Sequence, residues 1–301
     1  MDSIVNEEQI DTSYEPFSRE PEYIEANRAF VESLPLGPAP TVLDLACGTL
    51  SMTDQLLDRL ESQPAGQPRA GTPLVFGLDL SRESLTLGRQ FLVDKRSPHV
   101  LQQILLVEGT ATSLPYPSDF FDAVMMGNAI QLVPDLDAMV REIHRVLRPG
   151  GAFGFNTSFY AGTYCPGTEH VYIRWVQESL DYVLRRDREL RAQGQPGIKR
   201  QRGTAGRAFS KPWLSTADYA SSLHAAGLGV SAVNERTVML TRSSFEKIGA
   251  YASLAKVLLS GYPVKLACEA MERAAGPTLE AVGMVEVPRY WLEMTAIKPV
   301  R

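Results

Sequence analysis

The sequence predicts an α/β protein, a doubly wound and mostly parallel sheet of seven strands with helical lid insertions. Short apolar runs at 41–45, 74–78 and 103–108 suit buried strands, and each ends at or beside an acid: Asp44, Asp79 and Glu108. Helical spacing follows the first of them at 52–60, where Leu56, Leu57 and Leu60 share one face. Two later stretches, 159–214 and 243–285, are too long for ordinary connections and read as insertions.

Residues 1–40 form an N-terminal helical arm, with a helix at 21–34 ended by Pro35, Pro38 and Pro40. The core, 41–158, adds a fourth strand at 123–127, a helix at 135–147 and a fifth strand at 152–158. The lid insertion 159–214 carries a helix on which Val171, Tyr172, Trp175, Val176, Leu180, Tyr182 and Val183 make a broad apolar and aromatic face. The core continues at 215–242, with Ser215 as helix N-cap, Asp218 three residues on as a capping box, and a strand at 230–240. The second helical insertion, 243–285, is marked by Phe245, Ile248, Tyr251, Leu254, Val257 and Leu258. It suits a lid, a homodimer surface or a membrane-resting face, and its mixed charge makes the last the weakest reading. Residues 286–301 hold the final strand, at 290–298.

The first strand runs into Asp44-Leu45-Ala46-Cys47-Gly48-Thr49-Leu50, where small residues let the chain turn sharply into a helix and bring a ligand close to the backbone. Asp79 ends the second strand, where a carboxylate accepts hydrogen bonds from a ribose. Gly109-Thr110-Ala111-Thr112-Ser113-Leu114-Pro115-Tyr116 and Phe120-Phe121-Asp122 follow, and then Leu147-Arg148-Pro149-Gly150-Gly151. Together these four pieces resemble class I S-adenosylmethionine-dependent methyltransferases of the small-molecule, type 11 kind. The resemblance spans roughly residues 40 to 155 and implies a Rossmann-like fold with S-adenosyl-L-methionine as cofactor. On it, Asp44, Ala46, Cys47, Gly48, Asp79, Leu80, Gly109, Thr110, Ala111 and Asn128 are the expected cofactor-binding residues.

The chain departs from the family's acid-x-Gly-x-Gly-x-Gly at Ala46 and Leu50, which are expected to narrow the cradle, and Thr110 stands where an aspartate usually receives the adenine amino group. Each piece alone is also compatible with an ordinary strand end or helix cap. A dinucleotide-binding dehydrogenase is the structural rival, but Gly-x-Gly-x-x-Gly is absent. The 35 positions from Asp44 to Asp79 also exceed the roughly 20 expected there, unless the Pro/Gly-rich stretch 63–73 is an inserted loop.

Gln131 follows the fourth strand, where the family often carries a histidine. An amide orients an acceptor but is no base near neutral pH, so either the base lies elsewhere or catalysis is chiefly alignment. Glu169 and His170 are the nearest titratable candidates for proton removal, or else helix caps. Tyr14, Gln131, Tyr172 and Trp175 are candidate acceptor contacts, or else packing residues. Nine basic residues between Arg185 and Lys211 face only Asp187 and Glu189, reading as a solvated loop or as a site for an anionic acceptor group.

A net charge of −5 argues against general nucleic-acid binding, and three scattered cysteines against a disulfide framework or a metal site. No apolar run reaches the roughly 18 residues of a membrane span, and the acidic start 1–8 lacks a signal peptide's apolar core. The expected setting is cytoplasmic. The expected activity is methyl transfer to a small, largely apolar or aromatic acceptor, with or without an anionic group, in specialised or lipid-like metabolism. Loss of two motif glycines keeps open a cofactor-binding protein that catalyses something else, such as a cyclisation, or serves as an interaction module.

Overall fold

The computed structural model describes residues 13–62, 72–201 and 213–300. In chain order the elements are α1 (Glu15–Ser18), α2 (Pro21–Ser33), β1 (Thr41–Leu45), α3 (Ser51–Ser62), β2 (Leu74–Asp79), α4 (Arg82–Lys95), α5 (Pro98–Leu101), β3 (Ile104–Glu108) and β4 (Phe121–Gly127). A 3-10 turn (Ile130–Leu132) leads to α6 (Leu136–Val146), β5 (Leu147–Thr157), α7 (Glu169–Ala192), α8 (Thr216–Ala225), β6 (Gly229–Leu240), α9 (Arg242–Ala250), α10 (Ala252–Leu258), α11 (Val264–Val282) and β7 (Val287–Ile297).

The chain divides into two compact units. A sheet unit comprises Pro21–Thr163, Pro212–Val238 and Arg289–Arg301, and a helical unit comprises Met1–Glu20, Tyr164–Lys211 and Met239–Pro288. The single N-terminal arm expected from sequence is therefore split, α1 falling in the helical unit and α2 in the sheet unit. Phe30 of α2 and Leu34, just after that helix, fill the space over Gly154 of β5, where an added Cβ would sit 2.4 Å from Leu34 Cδ2.

In the sheet unit the strand order is β3-β2-β1-β4-β5-β7-β6. The first five are joined by parallel pairings, and β7 runs antiparallel to β5. The order reverses between β1 and β4, the switch point at which a doubly wound sheet opens a crevice for a ligand. Val42, Leu43, Leu45, Val75, Ala123, Val124, Met125 and Met126 are fully buried, because parallel strands are covered on both faces.

Several of the family-like motif residues build the scaffold where β1, β4 and β5 begin. Asp122 accepts the Thr41 N–H at 2.7 Å on one oxygen and Arg148 Nη1 at 2.6 Å on the other, tying together the starts of β1, β4 and β5. A Cβ at Gly151 would lie 2.9 Å from the Arg148 carbonyl oxygen and 3.1 Å from that of Asp122, so only glycine fits the approach. Tyr116, Phe120 and Phe121 form an aromatic cluster with Phe76 of β2, with centroids 4.9 to 6.3 Å apart.

α8 has the expected capping box: the Asp218 N–H donates to Ser215 Oγ at 3.2 Å and the Ser215 N–H to Asp218 Oδ2 at 2.8 Å. The interval after β2 holds α4 and α5, as a doubly wound sheet requires. Two sequence expectations need correction. β5 begins at Leu147 rather than at 152, because Leu147 pairs with Phe121 before the register shift. α7 runs on to Ala192, so Arg185, Arg186, Arg188 and Arg191 lie on a helix and not in a loop. Two of them pair along it, Arg191 with Asp187 at 2.8 Å and Arg186 with Glu189 at 3.3 Å. Arg202, Arg207 and Lys211, like most of 63–73, lie outside the described residues.

In the helical unit α11 packs against α7 and α9. The buried face of α7 is Val171, Trp175, Ser179 and Val183, a strict four-residue spacing. A Cβ on Gly249 of α9 would sit 2.8 Å from the Trp175 ring and 2.9 Å from the Met271 backbone, so glycine is what lets α9 approach α11. Among the described residues no helix is long and apolar enough to cross a membrane.

Candidate active site

The turn from β1 to α3 has a left-handed backbone at alternate residues, with φ of +57° at Ala46, +52° at Gly48 and +65° at Leu50. These are the three places where the family-like motif writes glycine. The chain keeps the conformation at all three while holding glycine at one, and each side chain there costs about 1 kcal/mol of backbone strain. Three hydrogen bonds hold the turn: Cys47 N–H to the Leu78 carbonyl at 3.1 Å, Leu50 N–H to the Cys47 carbonyl at 2.9 Å, and Gly48 N–H to Asp79 Oδ2 at 2.9 Å. A Cβ built on Gly48 meets nothing within 4 Å, so the turn presents an open cradle at this residue.

Leu50 does not narrow that cradle, contrary to expectation. It is fully buried, and its side chain fills the space above Gly77 of β2 and Gly88 of α4. A Cβ at Gly88 would lie 2.7 Å from Leu50 Cγ, and one at Gly77 3.3 Å from Leu50 Cδ2. The bulk lost at 77 and 88 is the space gained by Leu50. Cys47 likewise turns its thiol inward, 3.0 Å from a Cβ built on Gly77. Burial raises that thiol well above its usual range, with the charges of Asp44 and Asp79 adding to the effect, so it is unreactive.

Asp44 is 1% exposed and accepts a hydrogen bond from Thr53 Oγ1 at 2.6 Å. Burial pushes its carboxyl up to about 7, the Thr53 hydrogen bond opposing and the Asp79 charge adding. Asp79 accepts the Gly48 N–H on one oxygen and the Ser81 N–H, at 2.8 Å, on the other. Each carboxylate oxygen keeps a second lone pair, so a pair of ribose hydroxyls can still be accepted.

A cavity of about 190 Å³ opens beside Asp79, lined among others by Leu78, Leu80, Gly109, Ala111, Leu132 and Val133. Leu80, 73% exposed, offers an apolar surface on the wall of this cavity. The wall from Gly109 to Tyr116 is clamped by α6, since Glu142 accepts the Leu114 N–H at 2.8 Å and Arg145 donates to the Leu114 and Tyr116 carbonyls at 3.0 and 2.7 Å. The sequence reading missed this clamp, although Glu142 and Arg145 stand one helical turn apart.

A buried amide chain crosses the ends of β4 and β5. Asn27 Nδ2 donates to the Tyr23 carbonyl at 3.0 Å, Asn156 Nδ2 to Asn27 Oδ1 at 2.7 Å, and the Asn128 N–H to Asn156 Oδ1 at 2.9 Å. Asn128 Oδ1 accepts the Ser158 N–H at 2.8 Å, which locks Asn128 with φ of +46°. Gln131 is held at both ends of its amide: Nε2 donates to the Asn128 carbonyl at 2.7 Å and Oε1 accepts from Thr157 Oγ1 at 2.8 Å. Arg289 of β7, 7% exposed, donates from Nε and Nη2 to the Ser158 carbonyl at 3.0 and 2.6 Å, with Phe159 and Trp213 rings 5.3 and 5.9 Å away. Asn27, Asn156 and Arg289 escaped the sequence reading, yet one asparagine inside the apolar run 152–156 was a visible signal.

The remaining candidates lie in the helical unit. Glu169 and His170 are exposed in the first turn of α7. Tyr14 meets Phe17 and Tyr251 edge-on, at 5.5 and 5.1 Å. Tyr172 lies against Tyr164 at 4.5 Å and Phe245 at 5.7 Å. Trp175 is 3% exposed and donates its indole N–H to the Met271 carbonyl at 2.8 Å, which makes it a core residue of that unit.

Comparison with known proteins agrees with this geometry. Residues 43–155 match the family model for a methyltransferase domain. This segment is a class I, S-adenosylmethionine-dependent methyltransferase domain. Among curated relatives, a demethylmenaquinone methyltransferase of Symbiobacterium thermophilum is 38% identical over 127 residues, covering 42% of this chain and 46% of the relative. A second of that name, from Anoxybacillus flavithermus, is 37% identical over 109 residues, 36% of this chain and 40% of the relative. The chain thus spans less than half the length of these two relatives. Among solved structures, a candidate methyltransferase of Bacillus halodurans C-125 superposes with a TM-score of 0.55 at 15% identity, over 91% of this chain and 99% of the other. At that identity the likeness shows the fold alone.

Proposed function

We propose that the protein binds S-adenosyl-L-methionine in the sheet unit and transfers its methyl group to a small, largely apolar or aromatic acceptor. The observation that carries this reading is the left-handed backbone at Ala46, Gly48 and Leu50, which opens at Gly48 beside Asp79 and the adjoining cavity. When bound, the cofactor supplies an electrophilic methyl on a positive sulfur.

This chain's own residues supply binding and alignment. Asp79 holds the ribose hydroxyls, Leu80, Ala111 and Leu132 cover the base, and the Gly48 turn admits the methionine end. Asp44, once ionised, places a negative charge beside that end. Gln131, fixed by Asn128 and Thr157, orients groups at the strand ends, and its amide moves no proton. Catalysis is then chiefly alignment, which suits a reaction with a good leaving group. Glu169 and His170 enter as acceptor-side groups whose removal tests that statement.

The aromatic groups of the helical unit support an apolar acceptor, as does the quinone in the name of the curated relatives. The arginines along α7 leave room for an anionic group on it. The net charge of −5 disfavours a nucleic-acid acceptor, and three scattered, buried cysteines suit a reducing cytoplasm. The test is calorimetry with S-adenosylmethionine, then mass spectrometry of incubations with demethylated quinols, phenols and prenyl diphosphates. Binding together with one methylated acceptor is expected. Absence of cofactor binding sinks the reading, and tight binding with no methylated product across the panel moves it to the non-methylating alternative.

A further inference from the structure

The basic residues at the end of α7 belong to a fixed surface and not to a solvated loop. Just past the helix the Ile198 N–H donates to Asp187 Oδ1 at 2.6 Å, which folds the chain back onto α7. The Gln201 N–H then donates to the Gly261 carbonyl at 2.8 Å, and the Arg200 guanidinium lies over the Tyr262 ring at 5.4 Å. A Cβ built on Gly261 would run into the Gln201 carbonyl oxygen, so glycine is what lets this segment lie on the loop between α10 and α11. The end of α7, residues 198–201 and that loop thus form one contiguous surface of the helical unit.

Charge is segregated on it. From Leu184 to Gln201 the only acids are Asp187 and Glu189, and they are taken by Arg191 and Arg186. From Ala252 to Ala267 there is no acid, although 243–285 as a whole is mixed in charge, because its acids stand at Glu246 and from Glu269 onward. Among the described residues, six exposed basic side chains here are left outside any ion pair: Arg185, Arg188, Lys199, Arg200, Lys256 and Lys265. In a chain of net charge −5, such a patch attracts an anionic partner. Leucines stand among the charges: Leu184, next to Arg185, is 53% exposed, and Leu258, between Lys256 and Lys265, is 37% exposed.

We propose that this surface docks on an anionic phospholipid bilayer. The long basic side chains reach the phosphates, while Leu184 and Leu258 enter the boundary of the acyl chains. Each basic residue near such a surface strengthens binding about fivefold, so a few of them suffice for measurable attachment. A nucleic acid or an acidic protein matches the charge equally, but offers no acyl layer to the leucines between the charges. The surface lies wholly within the helical unit and needs neither cofactor nor acceptor, so its failure and that of the methyl-transfer reading are separate.

The experiment is co-sedimentation of the full chain with vesicles of phosphatidylcholine alone and of phosphatidylcholine with about one third phosphatidylglycerol. Binding to the anionic vesicles should be at least about tenfold tighter than to the neutral ones, and should weaken at least about tenfold when salt is raised to about 0.5 M. Arg185→Gln with Arg188→Gln should weaken it by about tenfold or more, and Lys256→Gln with Lys265→Gln by a similar factor. Leu184→Ser, which removes no charge, should weaken it about threefold or more. Arg89→Gln with Arg141→Gln removes the same charge from exposed positions of the sheet unit, and should stay within about twofold of wild type. Every altered residue is exposed, so thermal melts of all the variants should match the wild type. Equal affinity for the two kinds of vesicle, or no binding to the anionic ones, overturns the proposal. So does a loss in the Arg89 and Arg141 pair as large as in the α7 pair, which reduces the effect to net charge. An unchanged Leu184→Ser also overturns it, and makes the surface a site for a soluble polyanion.

Discussion

The β1 to α3 turn and the α7 face differ in where their information is stored. Ala46, Gly48 and Leu50 act through backbone conformation, whereas Val171, Trp175, Ser179 and Val183 act through side chains packed on a neighbouring helix. A backbone device tolerates changes of residue type as long as φ is kept, which is how leucine stands at a glycine position. A packing face reveals its period but not its occupant, because a ligand and a helix both call for apolar side chains. Six substitutions break or sharpen this contrast.

The largest effect should be a pH dependence centred on the turn. The Asp44 carboxyl rises to about 7 in the folded protein from an ordinary 3.8, so the folded state holds that proton more firmly than the unfolded chain. Its contribution therefore favours folding most below pH about 4, declines as pH rises, and levels off above about 7. Asp44→Asn, which can still accept from Thr53, should remove that decline. The difference in unfolding free energy between variant and wild type should grow by on the order of 4 kcal/mol across the window. A flat difference would mean that the carboxyl is not buried as described.

Leu50→Ala should destabilise by about 3 kcal/mol in urea melts, the loss for emptying a buried leucine site. Cofactor affinity of the folded protein should stay within about threefold of wild type, because the side chain faces Gly77 and Gly88. A tenfold loss of affinity would restore Leu50 to the cradle. Gly48→Val should do the reverse, with affinity falling about 100-fold or more while stability drops by only about 1–2 kcal/mol of backbone strain. Equal behaviour of the two variants would show that the turn has no separate inner and outer face.

On the helical side, Trp175→Phe should cost about 1–2 kcal/mol by stranding the Met271 carbonyl. Cofactor affinity should not move. If stability is untouched and only turnover falls, Trp175 belongs to the acceptor and not to the core. The smallest effects should come from Glu169→Gln and His170→Gln. Both are exposed, so stability should hold within about 0.5 kcal/mol. Under catalysis by alignment kcat should fall less than about threefold, and a 100-fold loss with a shifted pH profile would make one of them the base.

Much of the sheet was legible because parallel strands are continuous apolar runs that end in acids and small residues. β1 lies where the sequence places it, and the turn after Asp44 and the Asp79 end of β2 meet through the Gly48 hydrogen bond. The roles of Asp122 and Arg148 were not legible, since their partners are distant in sequence and lie at the other edge of the sheet. Nor was the Leu50 site, which depends on glycines 27 and 38 positions later. Gln131 was rightly noticed as unable to be a base, but its clamp between Asn128 and Thr157 needed β4 and β5 side by side.

The sequence by itself determined the layered α/β class, the place of the ligand turn, and a short list of polar groups at strand ends, because those follow from local period, turn chemistry and charge. Only the tertiary structure decided which of those groups face a ligand and which face the core. Leu50 and Trp175 proved inward, Gly48 and Leu80 open, and Thr110 paired with Thr112. The physical reason is that a side chain's period specifies a face, while its use depends on what the rest of the chain packs against that face.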